Sequence, residues 1–164
     1  MCAGVDGARP ARSRKRGEPL SELRVRPATF GDAERVAELA TQLGYPSTPQ
    51  QVGARLGHLL PRDEHAVYVA ELGAGPVIGW VHVFVKHTAE SDPQAEIGGL
   101  VVDESQRQRG VGKLLMRHAE QWARARGLRS VYLRSNVLRK DAHAFYASLD
   151  YRVVKTQAVF CKDF

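Results

Sequence analysis

The chain has 164 residues, the size of one domain, and 43% of them are apolar, so it can bury a core and is not a chain too polar to fold. No apolar run reaches membrane-spanning length and the basic start has no apolar segment behind it, so neither a spanning helix nor a secretory leader is expected. Two cysteines, Cys2 and Cys161, are too few for a disulfide framework and suit no metal site, so the expectation is a cytoplasmic protein with no bound metal and no membrane partner.

Residues 1–19 read as a disordered basic tail, with little apolar content and no periodicity. Arg9, Arg12, Arg14, Lys15 and Arg16 against Asp6 and Glu18 carry +3 of the chain's +6. A nucleic-acid arm is one reading of such a cluster. It has no aromatic interleaving, which favours a solvated leader, so no nucleic-acid partner is expected. Residues 20–164 are the domain.

Leu23–Arg26 alternates and predicts a strand ended by Pro27. Thr29 and Asp32 have the spacing of a helix cap, and Val36, Leu39, Ala40 and Leu43 mark one face of the helix, which Gly44 ends. Pro49 opens a second helix with Val52, Leu56, Leu59 and Leu60 on its apolar face. Ala66–Ala70 and Val77–Val85 predict two strands around a Gly73–Pro76 turn. In the second, Trp80, His82 and Phe84 share one side. His82 and His87 read either as functional or as half-exposed structural histidines, and the structural reading is favoured for each. Thr88–Pro93 is polar and predicts a loop.

The stretch Glu96–Lys113 organises the rest. Ile97 and Leu100-Val101-Val102 predict a strand, Asp103-Glu104-Ser105 a turn, and Arg107-Gln108-Arg109-Gly110-Val111-Gly112-Lys113 a basic glycine loop opening a helix to about Arg126. The helix's first amides have no partner within it, and its dipole adds positive charge. With Arg107, Arg109 and Lys113 this makes a cradle for a phosphate or pyrophosphate. The loop is neither a Walker loop nor the three-glycine dinucleotide fingerprint. Ser130–Arg134 predicts the next strand, Asp141–Leu149 a short helix, and Tyr151 onward, alternating again at Val153, Val154, Val159 and Phe160, one long strand or a terminal hairpin.

Arg/Gln-x-x-Gly-x-Gly after a strand resembles the acetyl-CoA signature of the GCN5-related N-acetyltransferases, with Arg107, Gly110 and Gly112 at its named positions. The order β-α-α-β-β-β-α-β-α-β is similar to that family's, an α/β fold with a mixed sheet and helices on both faces. Ser135-Asn136 through Phe145-Tyr146, then Leu149-Asp150-Tyr151, resembles its bacterial small-molecule branch, above all aminoalkylphosphonate and aminoglycoside N-acetyltransferases. Asp150 stands where that branch usually has glycine, at a position that commonly needs a left-handed backbone.

The resemblance implies transfer of the acetyl group of acetyl-CoA to a primary amine in a ternary complex. The free edge of Leu100, Val101 and Val102 would bind the pantetheine arm as a strand would. A backbone N–H near Leu100–Val101 would donate to the oxyanion, and Gly98-Gly99 fits a bulge or close approach. Asn136 resembles the asparagine that contacts the CoA arm. His143 either orients the acceptor or packs against the sheet. Tyr146 is the candidate general acid for the departing thiolate, against a core aromatic beside Phe145. Glu96 is the candidate general base, against a solvated strand-end carboxylate; relatives often carry a second acidic residue where Gly99 stands. The acceptor pocket is expected between the first two helices, the Thr88–Pro93 loop and the C-terminal strands, and by analogy the last strand pairs two copies into a homodimer. Acetylation of a protein amine, or CoA binding without chemistry, are the other classes open at this stage.

Overall fold

The first turn of the domain is set by a reciprocal cap. In the computed structural model, which describes residues 23–164, strand β1 (Leu23–Pro27) leads to a 3-10 turn at Phe30–Asp32 that runs straight into helix α1 (Ala33–Leu43). Asp32 accepts from the Thr29 backbone N–H at 2.7 Å and its hydroxyl at 3.0 Å. Gly44, at φ +100°, stops α1. Helix α2 (Pro49–Leu59) starts with proline in its first turn and a second reciprocal cap, Thr48 with Gln51. The predicted tail, residues 1–19, and the start of the domain at residue 20 lie outside the described residues.

Strands β2 (His65–Leu72), β3 (Val77–Thr88), β4 (Ser91–Val102) and β5 (Val131–Leu133) complete one five-stranded sheet in the order β1-β2-β3-β4-β5. The first three pairings are antiparallel and β4–β5 is parallel, joined through helix α3 (Val111–Ala125); helix α4 (Lys140–Ala147) follows β5. The period of two sorts the side chains. Val81, Val83, Ala95 and Ile97 pack with Val111, Leu115, Met116, Ala119 and Trp122 of α3. Val67, Val69, Val77 and Val101 face α1 and α2, where they meet Val36, Leu39, Val52 and Leu56. The mixed sheet with helices on both faces is as the sequence implies.

Two expectations are corrected. Thr88–Pro93 is not a loop: β3 continues to Thr88 and β4 starts at Ser91, with Thr88 and Ser91 paired across a tight turn. The tip of this hairpin is exposed, so no apolar alternation marks it. Residues 151–164 form neither strand nor hairpin. Alternation says which residues would share a face, but a strand exists only against a partner ladder, and among the described residues these meet none. Val153, Val159 and Phe160 are consequently 81%, 85% and 92% exposed.

Candidate active site

The ladder between β4 and β5 covers only Ala95–Ile97 against Val131–Leu133. Past Ile97, the edge of Gly98–Val102 on that side has no strand partner among the described residues. The departure coincides with a bulge: His82 pairs with Gly99 and Val83 with Ile97, which leaves Gly98 as the extra residue. Both glycines lie closely against ring side chains, which a Cβ would have to displace. A Cβ on Gly98 would lie 2.6 Å from Nδ1 of His82, and one on Gly99 2.8 Å from Cη2 of Trp80. The Trp80 indole thus fills the space an acidic side chain at position 99 would need. The site is a slot with backbone donors and acceptors along one wall, and Leu100, Val101 and Val102 form that wall.

The slot runs into the basic loop. Asp103 holds the turn at its end, accepting from the Ser105 hydroxyl at 2.6 Å and backbone N–H at 2.9 Å. Arg35 of α1 pairs with the same carboxylate while donating to the Val77 carbonyl at 2.8 Å. These hydrogen bonds from Ser105, with the Arg35 cation, bring the Asp103 carboxyl down to about 2. Gln108 at φ +61° and Gly110 at φ +80° fold the chain back into the helix, and the first helical hydrogen bond runs from Leu114 N–H to the Gly110 carbonyl at 3.0 Å. The amides of Val111, Gly112 and Lys113 therefore precede the ladder of α3. Arg107 reaches the Val102 carbonyl and Glu104, each at 3.4 Å, and Arg109 donates to Gln106 at 2.6 Å. A groove of about 290 Å³ opens between Arg107 and Leu138, Arg139, Lys140, Asp141 and Ala142. Arg139 and Lys140 were not expected in the site; the signal was their two adjacent cations at the entrance of α4. The two glycines of the loop differ in purpose. Gly110 supplies the left-handed turn. A Cβ on Gly112 would stand 3.2 Å from the Phe145 ring, so this glycine admits α4 rather than a ligand.

Helix α4 carries the other predicted residues. Tyr146 is half-buried, 5.2 Å from the Phe145 ring and 6.1 Å from Tyr151. Burial raises its pKa and keeps the phenol protonated at neutral pH. Tyr151 ties this end to α3 by donating to Glu120 at 3.1 Å. Asp150 takes φ +65°, the left-handed turn expected there. His143 is half-buried on the helix. Asn136 lies in the exposed turn before α4 and spends its side-chain oxygen on the Leu138 N–H at 2.9 Å, which leaves its amide hydrogens as donors.

On the sheet face shared with α1 and α2, Glu96 is buried with both oxygens in ion pairs: Lys86 at 3.3 Å and Arg134 at 2.9 Å. It is not the solvated strand-end carboxylate of one sequence reading. His82 and His65 sit on the same face, His82 Nε2 3.1 Å from His65 Nδ1, with Phe84 stacked against both rings. Lys86, Arg134 and His65 carry no local sequence signal, since they reach the site only across strand ladders.

The model of the acetyltransferase (GNAT) family matches residues 33–151. The chain belongs to the GNAT acetyltransferase family. An aminoalkylphosphonate N-acetyltransferase of Salmonella typhimurium is 28% identical over 145 residues, 85% of this chain and 91% of that one. An uncharacterized N-acetyltransferase, YhdJ, of Bacillus subtilis is 48% identical over 50 residues, 30% of this chain and 35% of its own length. Among solved structures, AAC(6')-Iy in complex with a CoA bisubstrate analog superposes with a TM-score of 0.78 at 22% identity, over 88% of this chain and 100% of that one. The glucosamine-6-phosphate N-acetyltransferase of Arabidopsis thaliana has a TM-score of 0.74 at 19% identity, over 86% and 99%.

An acetyltransferase of this family uses an acyl-CoA cosubstrate, and the arrangement suits one. The slot offers backbone hydrogen bonds along an amide-bearing arm, the loop and the α3 N-terminus offer donors and positive charge to phosphates, and a protonated phenol lies on the helix beyond. No helix among the described residues is long and apolar enough to cross a membrane. Among the same residues no cluster of three or more histidine, cysteine or acidic side chains could hold a metal ion.

Proposed function

We propose that this chain transfers the acetyl group of acetyl-CoA to the primary amine of a small molecule, by direct attack within a ternary complex in the cytoplasm. The observation that carries the proposal is the release of β4 from β5 after Ile97, in line with the loop at residues 107–113. Arg107, Gln108, Arg109, Gly110, Val111, Gly112 and Lys113 surround the pyrophosphate, with Arg139 and Lys140 across the groove. Leu100, Val101 and Val102 take the pantetheine arm, and one of their N–H groups receives the oxyanion. Asn136 donates to the arm, and His143 borders the acceptor. Tyr146 protonates the leaving thiolate. Glu96 keeps Lys86 and Arg134 at the mouth of the slot; an amine proton arriving there competes with two cations already bound. Those cations favour an acceptor that carries an anionic group as well as its amine, and the aminoalkylphosphonate relative supports that choice.

A second copy of the chain is part of the proposal. Residues 152–164 present exposed Val153, Val154, Val159 and Phe160, and β5 ends the sheet with an open edge among the described residues. A segment of this kind is covered by adding to a sheet edge.

The test is thiol release from acetyl-CoA against aminoalkylphosphonates, aminoglycosides, polyamines, amino sugars and short peptides. Turnover with a small amine, lowered in Tyr146→Phe while calorimetric affinity for acetyl-CoA holds, is the expected result. Turnover confined to peptides overturns the small-molecule reading, and tight acetyl-CoA binding with no turnover overturns the catalytic one. Deleting residues 152–164 is expected to halve the sedimenting mass; an unchanged mass refutes the dimer.

A further inference from the structure

The histidine pair on the open part of the α1–α2 face has a geometry that a structural role does not require. Its rings stack with centroids 5.3 Å apart, and the contact between them is nitrogen to nitrogen, His82 Nε2 to His65 Nδ1 at 3.1 Å. The remaining nitrogen of His82, Nδ1, lies over Gly98, the bulged residue at which β4 leaves β5. An imidazole nitrogen is therefore held where the slot between β4 and β5 opens, at a residue where a side chain would collide with it. Glu96, on the same face, has both oxygens occupied by Lys86 and Arg134.

We propose that His82 takes the proton of the acceptor amine at Nδ1 and passes charge through His65 to solvent, so that this pair, and not Glu96, is the base of the reaction. The proposal rests on the acetyltransferase reading above.

One hydrogen lies between the two rings. With His82 Nε2–H donating to His65 Nδ1, the lone pair of His82 Nδ1 faces Gly98. The ammonium gives a proton to that lone pair, the Nε2 proton crosses to His65 Nδ1, and the outer Nε2–H of His65, which is half-exposed, gives its proton to water. The amine, now neutral, attacks the thioester carbon. The C–N bond forms and the C–S bond breaks with its electron pair on sulfur. The thiolate takes the Tyr146 proton, and the phenolate recovers one from the new amide nitrogen. One proton reaches water per turnover, and the imidazole pair resets by exchange with solvent.

The surroundings keep the relay neutral between turnovers. Burial, then the neighbouring His65, holds His82 down to about 4, and burial also lowers His65. The charged groups around the pair are Arg62 and Glu64 just before β2, Lys86 on β3, Glu96 on β4 and Arg134 after β5. Arg62 opposes protonation of His65 and Glu64 favours it. Trp80 and Phe84 complete the face without charge.

The experiment compares wild type, His82→Gln, His65→Gln and Glu96→Gln on an amine that wild type acetylates and on its less basic β-fluorinated analogue, across pH. For the basic amine at neutral pH, His82→Gln is expected to lower kcat/KM by about a hundred- to ten-thousand-fold with calorimetric acetyl-CoA affinity unchanged. The loss should shrink for the fluorinated amine, and also as pH approaches the basic amine's own pKa. His65→Gln should follow the same pattern with a smaller loss, as a positioning residue. Glu96→Gln should show no dependence on amine basicity. An equal loss on both amines at every pH overturns the relay, as does full activity of His82→Gln. If that variant does not fold, wild type still decides: a solvent isotope effect on kcat/KM is expected with the basic amine and should be smaller with the fluorinated one, where the Tyr146 transfer remains but the relay is bypassed, and an effect of equal size with both refutes the relay. A wild type that releases no thiol with any amine removes the acetyltransferase reading itself, whereas an active wild type with an indifferent His82→Gln removes the relay alone.

Discussion

Replacing Asp103 by asparagine isolates the charge that holds the entrance of the phosphate loop. Asparagine keeps an oxygen for the Ser105 backbone and hydroxyl, but loses the pairing with Arg35 and the charge-assisted part of both Ser105 hydrogen bonds. Asp103 is 9% exposed, so solvent screens the interaction little. Its pKa is about 2 in the fold against an ordinary 3.8. At ~1.4 kcal/mol per tenfold change this is worth about 2 kcal/mol of stability. The sign follows from a depressed carboxylate. The contribution is complete above the unfolded value and is lost as pH falls from near 4 towards 2. Urea denaturation at pH 7 should therefore show Asp103→Asn less stable than wild type by about 2 kcal/mol, and the gap should close as pH is lowered through that window. Acetyl-CoA affinity should fall as well, because the turn at Glu104–Gln106 aims the loop. A stability gap that stays constant down to the lowest pH at which both proteins fold, or no gap at pH 7, would refute the reasoning.

Gly79→Ala should destabilise by about 2–3 kcal/mol in chemical denaturation, because its Cβ would stand 2.8 Å from the Val101 carbonyl oxygen and 3.2 Å from Leu115 in the packed layer; a neutral result would mean that β3 and β4 separate at little cost. Asp150→Gly should raise stability by ~1 kcal/mol by relieving the left-handed strain at φ +65°, and a lower melting temperature would count against it. Gly98→Ala should keep the melting temperature within a few degrees yet strip most of the amine-dependent thiol release, since its methyl group would displace the His82 ring; normal turnover would show that the ring is free to move. His82→Gln should be relatively more stable than wild type at pH 5 than at pH 7.5. The folded state resists protonating His82 until about 4 whereas the unfolded chain protonates near 6.5, so wild type loses more stability than the variant in that window; parallel pH–stability curves would contradict this.

Much of the scaffold was legible because its signals are local. Thr29 with Asp32, Gly44 after Leu43, and Gly110 before Val111 each announce an element end through chemistry within four residues, and the structure has all three. Gly98-Gly99 announced the bulge for the same reason. The unread parts depend on what lies across a ladder. Glu96 could be read as a base or as a solvated carboxylate, but its two cations come from β3 and from beyond β5, at separations no sequence window spans. His65 and His82 are ordinary half-exposed positions until β2 and β3 are paired. The hairpin at Thr88–Ser91 was hidden because its exposed tip has no apolar period. Residues 151–164 failed in the opposite sense: the alternation was present and, among the described residues, the partner strand was not.

The two ends of the sheet are unlike. At β1, Arg24 and Arg26 are committed to Glu71 and Asp32, and Pro27 has no N–H to offer. At β5 the edge is three residues long and free of such guards among the described residues. A sheet with one blocked border and one open border can be extended in a single direction. Two copies joined at β5 would each turn the blocked border outward, and growth would stop at two. In such a pair the charges on β1 would separate a closed pair from an open-ended fibre, although they lie at the opposite end of the sheet from the proposed join.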